Sequence, residues 1–288
     1  MGRIYEALEK EENRDPKQRE PKQEEKKKSF LASPATLETR ENLVVLGRPG
    51  SAIAEQFRFL RSMITQPRDR GKVDKTILIS SSIQQEGKSY IASNLAATMC
   101  MGLDEHVLLV DADLRNPKVH TYFNIPQAQF GLSTHLRDGT PLPELLQKTS
   151  LRKLTVLPAG LSSENPAELI SSRSMQKFVQ EVRDRYPDRL VVFDSPPLKL
   201  APEAYVLASL VDGFYLVVRR AKTPREAVKA TLERLNRENF RGTILNGYEE
   251  PEKYYKGYKE KAYGHGYGYG YGYSYSNTNK HPTENPET

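Results

Sequence analysis

The feature that most constrains the fold is an apolar run that leads into Gly87-Lys88-Ser89. Residues 77–79 are typical of a buried strand, and residues 88–100 of the helix that follows it. The first backbone N–H groups of a helix lack partners within the helix and carry partial positive charge, so such a junction favours phosphate. The full phosphate-loop pattern has glycine five residues before Gly87, where this chain has Ser82. By itself, the motif is also compatible with an ordinary strand-to-helix turn.

Two further apolar runs end in charged residues. Residues 107–110 are followed by the segment Asp111–Arg115, which holds two aspartates and an arginine, and residues 190–193 lead directly into Asp194. In open parallel sheets, ligands bind beyond the carboxyl ends of the strands. We therefore expect these charged side chains to converge on the Lys88 turn.

The order of the predicted elements indicates the α/β fold class. The predicted strands are 77–79, 107–110, 154–157, 190–193, 214–218 and 243–245. The predicted helices are 51–65, 88–100, 174–186 and 224–239. Ser51 and Thr223 are the expected N-caps of the first and last helix, and Pro224 is the expected first residue of the last. Strands that alternate with helices form a mostly parallel central sheet with helices on both faces.

Composition divides the chain into three parts. Residues 1–35 are mainly Lys, Arg, Glu, Gln and Pro, and we expect a disordered charged arm whose first turns either fray or form a short docking helix. Residues 36–246 form the expected domain. Residues 247–288 hold ten of the sixteen tyrosines, and Gly occupies every second position from 264 to 272, with Tyr after each Gly from 266 onward. Glycine at every second position disfavours a strand, so a disordered tail is expected, whose phenol groups either become modified or bind a partner by stacking.

Charge and composition argue against several classes of protein. The formal net charge of +6 is modest and the charges are interspersed, so nucleic acid is not an expected partner. The five histidines are scattered and no cysteine cluster accompanies them, so no zinc site is expected. No apolar run reaches the roughly 18 residues that span a bilayer, and no signal peptide is evident, so we expect a cytoplasmic protein. The one cysteine, Cys100, is expected to be buried.

The predicted 51–65 helix carries a ladder of charged residues. Glu55, Arg58 and Arg61 follow one another at intervals of three, on a different face from the apolar residues. Such a stripe is either solvated surface or part of a reciprocal interface between subunits.

Together, these features resemble the bacterial tyrosine kinases of polysaccharide synthesis. The resemblance rests on the Lys88 turn, on Asp111-x-Asp113-x-Arg115, on Asp194-x-x-Pro197 and on the terminal tyrosine cluster, and it covers residue 51 to the end. The opening GRIYEALEK is similar to the cytoplasmic branch associated with exosortase-type exopolysaccharide loci. The resemblance implies a P-loop NTPase-like three-layer sandwich, in which the three segments are the Walker A, A-prime and Walker B motifs.

The resemblance also implies roles for individual residues. The residues expected to bind nucleotide are Gln85, Glu86, Gly87, Lys88, Ser89, Tyr90 and Asn246. The expected metal ligands are Ser89, Asp111 and Asp194. The expected catalytic residues are Lys88, Asp111, Asp113 and Arg115. The expected oligomerisation residues are Glu55, Arg58 and Arg61. The expected sites of autophosphorylation are Tyr263, Tyr267, Tyr269, Tyr271, Tyr273 and Tyr275.

The chain departs from the family pattern in the phosphate loop. Gln84 and Gln85 stand where many members have Pro-Gly, and Tyr90 stands where Thr is common. Glycine adopts positive φ angles more readily than glutamine does. The conformation at Gln85 therefore decides how well this loop can bind a nucleotide.

ATP and Mg²⁺ are the implied cosubstrate and cofactor. The Walker A loop would hold the β and γ phosphates, and Ser89 and Asp111 would ligate the metal, with Asp194 acting directly or through a water. A tyrosine hydroxyl, with a pKa of about 10, benefits from a carboxylate that accepts its proton, and Asp113 and Asp111 are both candidates. Arg115 either steadies the transferring phosphoryl group or pairs with Asp113.

The expected function is an ATP-dependent protein-tyrosine autokinase that phosphorylates the tail of a neighbouring subunit in a ring and regulates exopolysaccharide polymerisation or export. The implied partner is a membrane-spanning chain-length activator, which recruits the kinase to the inner face of the plasma membrane. One alternative is an ATPase of the partitioning or division-site type, but such proteins usually carry a second loop lysine where this chain has Ile83. The other is a non-catalytic nucleotide-binding regulator whose tail is a docking strip.

Overall fold

A computed structural model describes residues 41–66, 73–102, 106–161, 165–184, 189–235 and 238–248. The predicted arm at 1–35, the tail beyond residue 248 and its six candidate tyrosines lie outside these ranges. Within them, the strands are β1 (Thr76–Ser81), β2 (His106–Asp111), β3 (Gln147–Lys148), β4 (Leu154–Leu157), β5 (Arg189–Asp194), β6 (Gly213–Arg219) and β7 (Phe240–Asn246). The helices are α1 (Val44–Gly47), α2 (Ala52–Thr65), α3 (Lys88–Cys100), α4 (Val119–Tyr122), α5 (Leu132–Asp138), α6 (Leu142–Leu145), α7 (Pro166–Ile170), α8 (Arg173–Asp184), α9 (Pro202–Leu210) and α10 (Arg225–Arg234).

The strands form one sheet in the order β3-β4-β2-β5-β1-β6-β7. All neighbouring strands are parallel except β3 and β4, which are antiparallel. All six predicted strands are present, which confirms the α/β class with a mostly parallel central sheet. Strand β3 was not predicted, because its two residues are too few to produce a periodic pattern.

The register of the sheet aligns the ends of its central strands. Asp111 at the end of β2 lies opposite Asp194 at the end of β5, and Asp194 lies opposite Ile79 in β1. The carboxyl ends of parallel strands share one edge of the sheet. The loop that follows β1 therefore begins at the same edge as the two aspartates.

Alternate side chains of the strands face two helical layers. Ile77 and Ile79 of β1 belong to the core shared with α1, α2, α3 and α4, whereas Leu78 belongs to the core shared with α5 to α10. Strand β1 is buried along its whole length because both of its faces are covered. The structure thus confirms the predicted three-layer sandwich.

Three of the predicted helices are confirmed. The Ser51 hydroxyl accepts a hydrogen bond from the Ala54 N–H at 3.2 Å, so Ser51 is the N-cap of α2. Helix α3 has the predicted bounds, and Cys100 at its end is buried. Helix α8 matches the prediction to within one residue at its start.

The prediction for the last helix was partly wrong. Helix α10 is shorter than the predicted 224–239, and its N-cap is Pro224 rather than Thr223. The Thr223 hydroxyl instead donates a hydrogen bond to the Glu86 carboxylate and accepts one from the Arg219 N–H at 2.9 Å. A tertiary contact thus uses the side chain that the local pattern assigned to helix capping.

Helix α9 was not predicted because its sequence lacks a polar stripe. Its buried residues include a glutamate, and apolar residues also occupy its less buried positions, so the residue pattern does not distinguish an inner from an outer face. The other unpredicted helices have four to seven residues, which is too short for a periodic signal. None of the described helices, of which α2 with 14 residues is the longest, has the length and apolar composition needed to cross a bilayer.

Candidate active site

The loop after β1 turns at Gly87, the N-cap of α3. Gly87 has a φ of +93°, and a Cβ atom at this position would overlap the side-chain amide of Asn246. Both the left-handed backbone and the close approach therefore require glycine. The same Asn246 amide donates to the Glu86 carbonyl oxygen at 2.8 Å, so the end of β7 holds the loop in place.

Gln85 adopts the positive φ that this position needs. Its φ is 61°, its carbonyl oxygen accepts from Arg219 Nη1 at 3.3 Å, and its side-chain oxygen accepts from Lys222 Nζ at 2.8 Å. A non-glycine residue in the left-handed region costs about 1–2 kcal/mol, and the two hydrogen bonds offset part of this cost. Ser82 is not among the residues with positive φ, so the first motif position does not require glycine here.

We expect Gln85→Gly to leave the free energy of unfolding within about 1 kcal/mol of the wild-type value. Glycine relieves the backbone strain, but it also removes the Lys222 hydrogen bond and increases the entropy of the unfolded chain. Urea unfolding measures the difference. Ala221→Gly is the control, because Ala221 also has a positive φ of 58° but no side-chain hydrogen bond to lose. A loss of more than about 2 kcal/mol in Gln85→Gly would show that the Lys222 hydrogen bond outweighs the strain.

Glu86 braces the loop from inside. The residue is fully buried, and its Oε2 accepts from the Ile83 N–H at 2.6 Å. Its Oε1 accepts from the Thr223 hydroxyl. The Glu86 carboxylate is therefore occupied by the loop itself and by the segment before α10.

Lys88 lies among acidic side chains. Its Nζ is 2.8 Å from Asp113 Oδ2, and the two side chains are only 13% and 4% exposed. Burial alone would lower the pKa of Lys88, but the charges of Asp194, Asp113 and Asp111 raise it to about 12. The ammonium group is therefore protonated at neutral pH.

Asp111 organises the segment between β2 and α4. Its Oδ2 accepts from the N–H groups of Lys118 at 3.1 Å and Val119 at 3.0 Å, and its Oδ1 accepts from the Asp113 N–H at 3.2 Å. Burial and the charge of Asp194 raise the pKa of Asp111 well above its ordinary value. The Asp111 carboxylate thus positions Asp113 as well as contributing to the acidic cluster.

Asp194 is a buried acid whose carboxylate oxygens lack hydrogen-bond partners among the described residues. Neither of its carboxylate oxygens has a hydrogen bond of normal geometry to the residues that the structure describes. Burial raises the pKa of Asp194 to about 6, although the charge of Lys88 and the hydroxyl of Ser89 oppose the shift. An unsatisfied buried carboxylate is costly unless a cation or water meets it.

The donor atoms at this edge fit a hard divalent cation. Ser89, Asp111 and Asp194 offer oxygen atoms only, which suits Mg²⁺, and Mg²⁺ beside a nucleotide takes many of its ligands from phosphates and water. Within the described ranges, no group of three or more His, Cys, Asp or Glu could hold a metal by itself. The site therefore fits a metal shared with a nucleotide.

Arg115 contacts a residue that the sequence pattern did not single out. Its Nε donates to Glu203 Oε1 at 2.7 Å, while Asp113 pairs with Lys88. Glu203 is the second residue of α9 and is 2% exposed. The sequence offers Pro202 as the mark of a helix start, but nothing in the local pattern indicates that this glutamate meets Arg115.

Tyr90 lies in the first turn of α3 and packs against other aromatic rings. Its ring centroid is 6.0 Å from that of Phe57 in α2 and 6.4 Å from that of Tyr122 in α4. Burial raises the pKa of the Tyr90 hydroxyl. The tyrosine that stands in place of the usual threonine thus fills the contact between three helices.

The charged ladder lies on α2. Arg58 pairs with Glu55 and donates from Nη2 to the Pro49 carbonyl oxygen at 2.7 Å. Arg61 donates from Nη1 to the Thr98 carbonyl oxygen of α3 at 3.1 Å. The role of these three residues in oligomerisation stays a prediction.

Five of the predicted site residues meet at the carboxyl edge of the sheet. They are Lys88, Ser89, Asp111, Asp113 and Asp194. A Gly-Lys-Ser loop between β1 and α3, beside aspartates at the ends of the neighbouring strands β2 and β5, defines a P-loop NTPase-like domain.

Comparisons with known proteins agree with this class. No family model matches the chain. The chain is 34% identical over 213 residues to the tyrosine-protein kinase YwqD of Bacillus subtilis, across 72% of this chain and 86% of that protein. It is similar in structure to the chimerical protein CapA2B2, with a TM-score of 0.66, 30% identity, and coverage of 73% of this chain and 91% of that one. For the kinase domain of the Escherichia coli tyrosine kinase ETK, the TM-score is 0.64, the identity 26% and the coverage 80% and 84%.

The chain therefore belongs to the bacterial tyrosine-protein kinases. Membership confirms the predicted P-loop NTPase-like fold and the predicted activity of a protein-tyrosine kinase. Kinase domains of this fold bind a nucleotide together with a metal. The roles of the individual site residues stay predictions.

Proposed function

We propose that this chain uses ATP and Mg²⁺ to phosphorylate tyrosines in the tail of a neighbouring copy. The observation that carries the proposal is the meeting of Lys88 with Asp111, Asp113 and Asp194 at the end of the Gly-Lys-Ser loop. Phosphoryl transfer depends mainly on positioning and on charge neutralisation. A protonated lysine beside carboxylates, at the N-terminus of a 13-residue helix, supplies both.

Lys88 and the loop N–H groups hold the β and γ phosphates. In the structure, Lys88 Nζ lies 2.8 Å from Asp113 Oδ2. Phosphate oxygens compete for this ammonium, and the N-terminus of α3 favours their negative charge. Ser89, Asp194 and Asp111 would hold Mg²⁺, which would neutralise charge on the phosphates.

Asp113 is the better of the two candidate bases. The Asp111 carboxylate already accepts three backbone N–H groups, which hold its own loop. Asp113 is released from its ion pair when Lys88 turns to the phosphates. It then accepts the proton of the attacking tyrosine hydroxyl, while the new O–P bond forms and the bond from the γ phosphorus to the β–γ bridging oxygen breaks.

The proposed acceptors are the tail tyrosines Tyr263, Tyr267, Tyr269, Tyr271, Tyr273 and Tyr275. Each phosphate adds about 1.5–2 negative charges, so modified tails repel one another and the assembly comes apart. This cycle regulates exopolysaccharide polymerisation or export. A membrane-spanning chain-length activator recruits the kinase from the cytoplasm to the inner face of the plasma membrane.

Helix α2 is the proposed contact between copies of the chain. Its outward side chains Ile53, Phe59 and Met63 are 51%, 65% and 52% exposed. The same helix carries the Glu55–Arg58 ion pair. Large exposed apolar side chains next to charged residues are typical of an interface between subunits.

We expect Phe59→Asp to shift the protein toward the monomer, with an association constant about 10- to 100-fold lower. The substitution replaces an aromatic ring that the proposed interface would bury with a charge. Light scattering during gel filtration at several concentrations measures the molar mass. Phe130→Asp is the matched control, because Phe130 is 61% exposed and lies outside α2. Equal masses for the wild type and Phe59→Asp would contradict an interface through α2.

Phosphopeptide mapping tests the proposed function. The protein is incubated with ATP, Mg²⁺ and the cytoplasmic segment of the activator, and phosphate is expected on the tail tyrosines. A mixture of tail-truncated wild type and full-length Lys88→Met tests transfer between copies, because only the wild-type site can then modify the remaining tail. ATP hydrolysis without phosphotyrosine would favour a partitioning-type ATPase. Failure to bind ATP with Mg²⁺ in calorimetry would favour a non-catalytic regulator.

A further inference from the structure

Glu203 is a buried acidic residue that contacts Arg115. It lies in the first turn of α9, and its side chain is 1% exposed. Its Oε1 accepts from Arg115 Nε at 2.7 Å, whereas its Oε2 has no hydrogen-bond partner among the described residues. A buried carboxylate is thus held by a single hydrogen bond to an arginine whose side chain is 45% exposed.

This ion pair is poorly arranged for stability alone. An ion pair offsets the free-energy cost of burying a carboxylate only when the geometry of the pair is good and the remaining lone pairs of the carboxylate accept hydrogen bonds. Here one of the two oxygens is unsatisfied. The unpaired N–H groups at the start of α9 offset part of the cost. The Glu203 carboxylate is buried, lacks a partner for one oxygen and contacts Arg115 beside the acidic cluster. This combination indicates a role in the site.

The geometry of the pair leaves one edge of the guanidinium available. Among the described residues, Arg115 donates through Nε only, and its Nη1 and Nη2 make no hydrogen bond. A guanidinium binds phosphate oxygens best when two of its nitrogens donate in parallel. Because Glu203 holds Nε, the Nη1–Nη2 edge stays free for such a contact. The alternative partner of Arg115, Asp113, is already bound to Lys88.

We propose that Glu203 is a positioning residue that holds Arg115 by Nε, so that Nη1 and Nη2 contact the transferring phosphoryl group. The inference rests on the proposed kinase function and adds a residue from α9 to it. Arg115 belongs to the loop that Asp111 organises, whereas Glu203 belongs to an element 88 residues further along the chain. The pair therefore ties the orientation of the loop arginine to a fixed helix.

The test combines Arg115→Ala, Glu203→Ala, the double variant and Glu203→Gln. At saturating ATP and Mg²⁺, we expect Glu203→Ala to lower the rate constant of tail phosphorylation about tenfold, with the KM for ATP within about twofold of the wild-type value. Arg115→Ala is expected to lower the rate constant about 10- to 100-fold, and Glu203→Ala to have no further effect in that background. Glu203→Gln keeps an oxygen that accepts from Nε, so it recovers most of the loss.

A second readout needs no acceptor tyrosine. Aluminium fluoride with ADP mimics the transferring phosphoryl group, so its binding reports the contact of Arg115 directly. Glu203→Ala is expected to weaken binding of ADP with aluminium fluoride about tenfold but to leave the binding of ADP alone unchanged. If the wild type forms no phosphotyrosine, the proposed function fails, and this measurement still decides the role of Glu203.

Glu226→Ala is the matched control, because Glu226 is also the second residue of its helix but is exposed. Circular dichroism checks that every variant is folded. If Glu203→Ala does not fold, Arg115→Lys replaces it, since lysine lacks Nε and is expected to show the same selective loss for aluminium fluoride. Equal losses from Glu203→Ala with and without Arg115, or equal losses for ADP and for ADP with aluminium fluoride, would overturn the proposal.

Discussion

Lys88→Met is expected to lower the rate of tail phosphorylation about 10²- to 10³-fold at pH 7 and saturating ATP. Methionine keeps most of the side-chain length but removes a charge that is permanent at this pH, because neighbouring carboxylates raise the pKa of Lys88 to about 12. Without this charge, one positive charge fewer balances the negative charges of the phosphates and of Asp111, Asp113 and Asp194. Phosphotyrosine formed per minute, measured with labelled ATP, gives the rate.

A matched control separates this effect from a general loss of lysine. Lys229 has a side chain that is 80% exposed and lies 4.0 Å from Glu233, so Lys229→Met is expected to be as active as the wild type. Lys88→Met also leaves the buried Asp113 without its partner, so thermal unfolding is measured in parallel. Wild-type rates in a folded Lys88→Met protein would refute the proposed role of the loop.

Asp194→Asn is expected to lower the rate of Mg²⁺-dependent phosphorylation about as much as Lys88→Met does. The same substitution is expected to stabilise the protein in the absence of metal. The unsatisfied carboxylate is costly to bury when ionised, and burial raises its pKa to about 6. Asparagine has a similar shape but no charge. At pH 8 in EDTA, we expect the free energy of unfolding to rise by on the order of 1–3 kcal/mol.

The pH dependence of stability follows from the same shift. The folded protein keeps the Asp194 proton up to its raised pKa of about 6, whereas the unfolded chain loses it near the ordinary pKa of 3.8. The folded state thus binds more protons between these values, so the contribution of Asp194 to stability is present at low pH and is lost as the pH rises through about 6. Burial and the charge of Asp194 raise the pKa of Asp111 as well, which adds to the same trend.

Urea unfolding in EDTA between pH 4 and pH 8 measures this slope, which is expected to be steepest below about pH 6. We expect Asp194→Asn to show a shallower decline than the wild type, since one of the two titrating carboxylates is gone. Asp138→Asn is the control, because Asp138 is an exposed acid that pairs with Arg137 at the surface. A wild-type protein that becomes more stable toward pH 8, or identical slopes for the wild type and Asp194→Asn, would contradict the assignment of Asp194 as the costly buried acid.

The sequence identified the parts of the site that lie at the ends of strands. Apolar runs that stop at Gly87-Lys88-Ser89, at Asp111 and at Asp194 are local patterns, and parallel pairing carries their ends to one edge of the sheet. Burial on both faces makes the central strands continuous apolar runs, which is why they were predicted correctly. The same segments contain the oxygen atoms that are predicted to bind a metal.

Which charges pair with one another was decided by the tertiary structure. Lys88 meets Asp113 across 25 residues of sequence, and Arg115 meets Glu203 across 88. The Thr223 hydroxyl, which the local pattern assigned to helix capping, reaches Glu86 in the phosphate loop. Residue periodicity reports whether a side chain faces the core or solvent, but not which distant element it will meet. Such pairs form only when strand order and helix packing bring the elements together, so they could not be read from the chain alone.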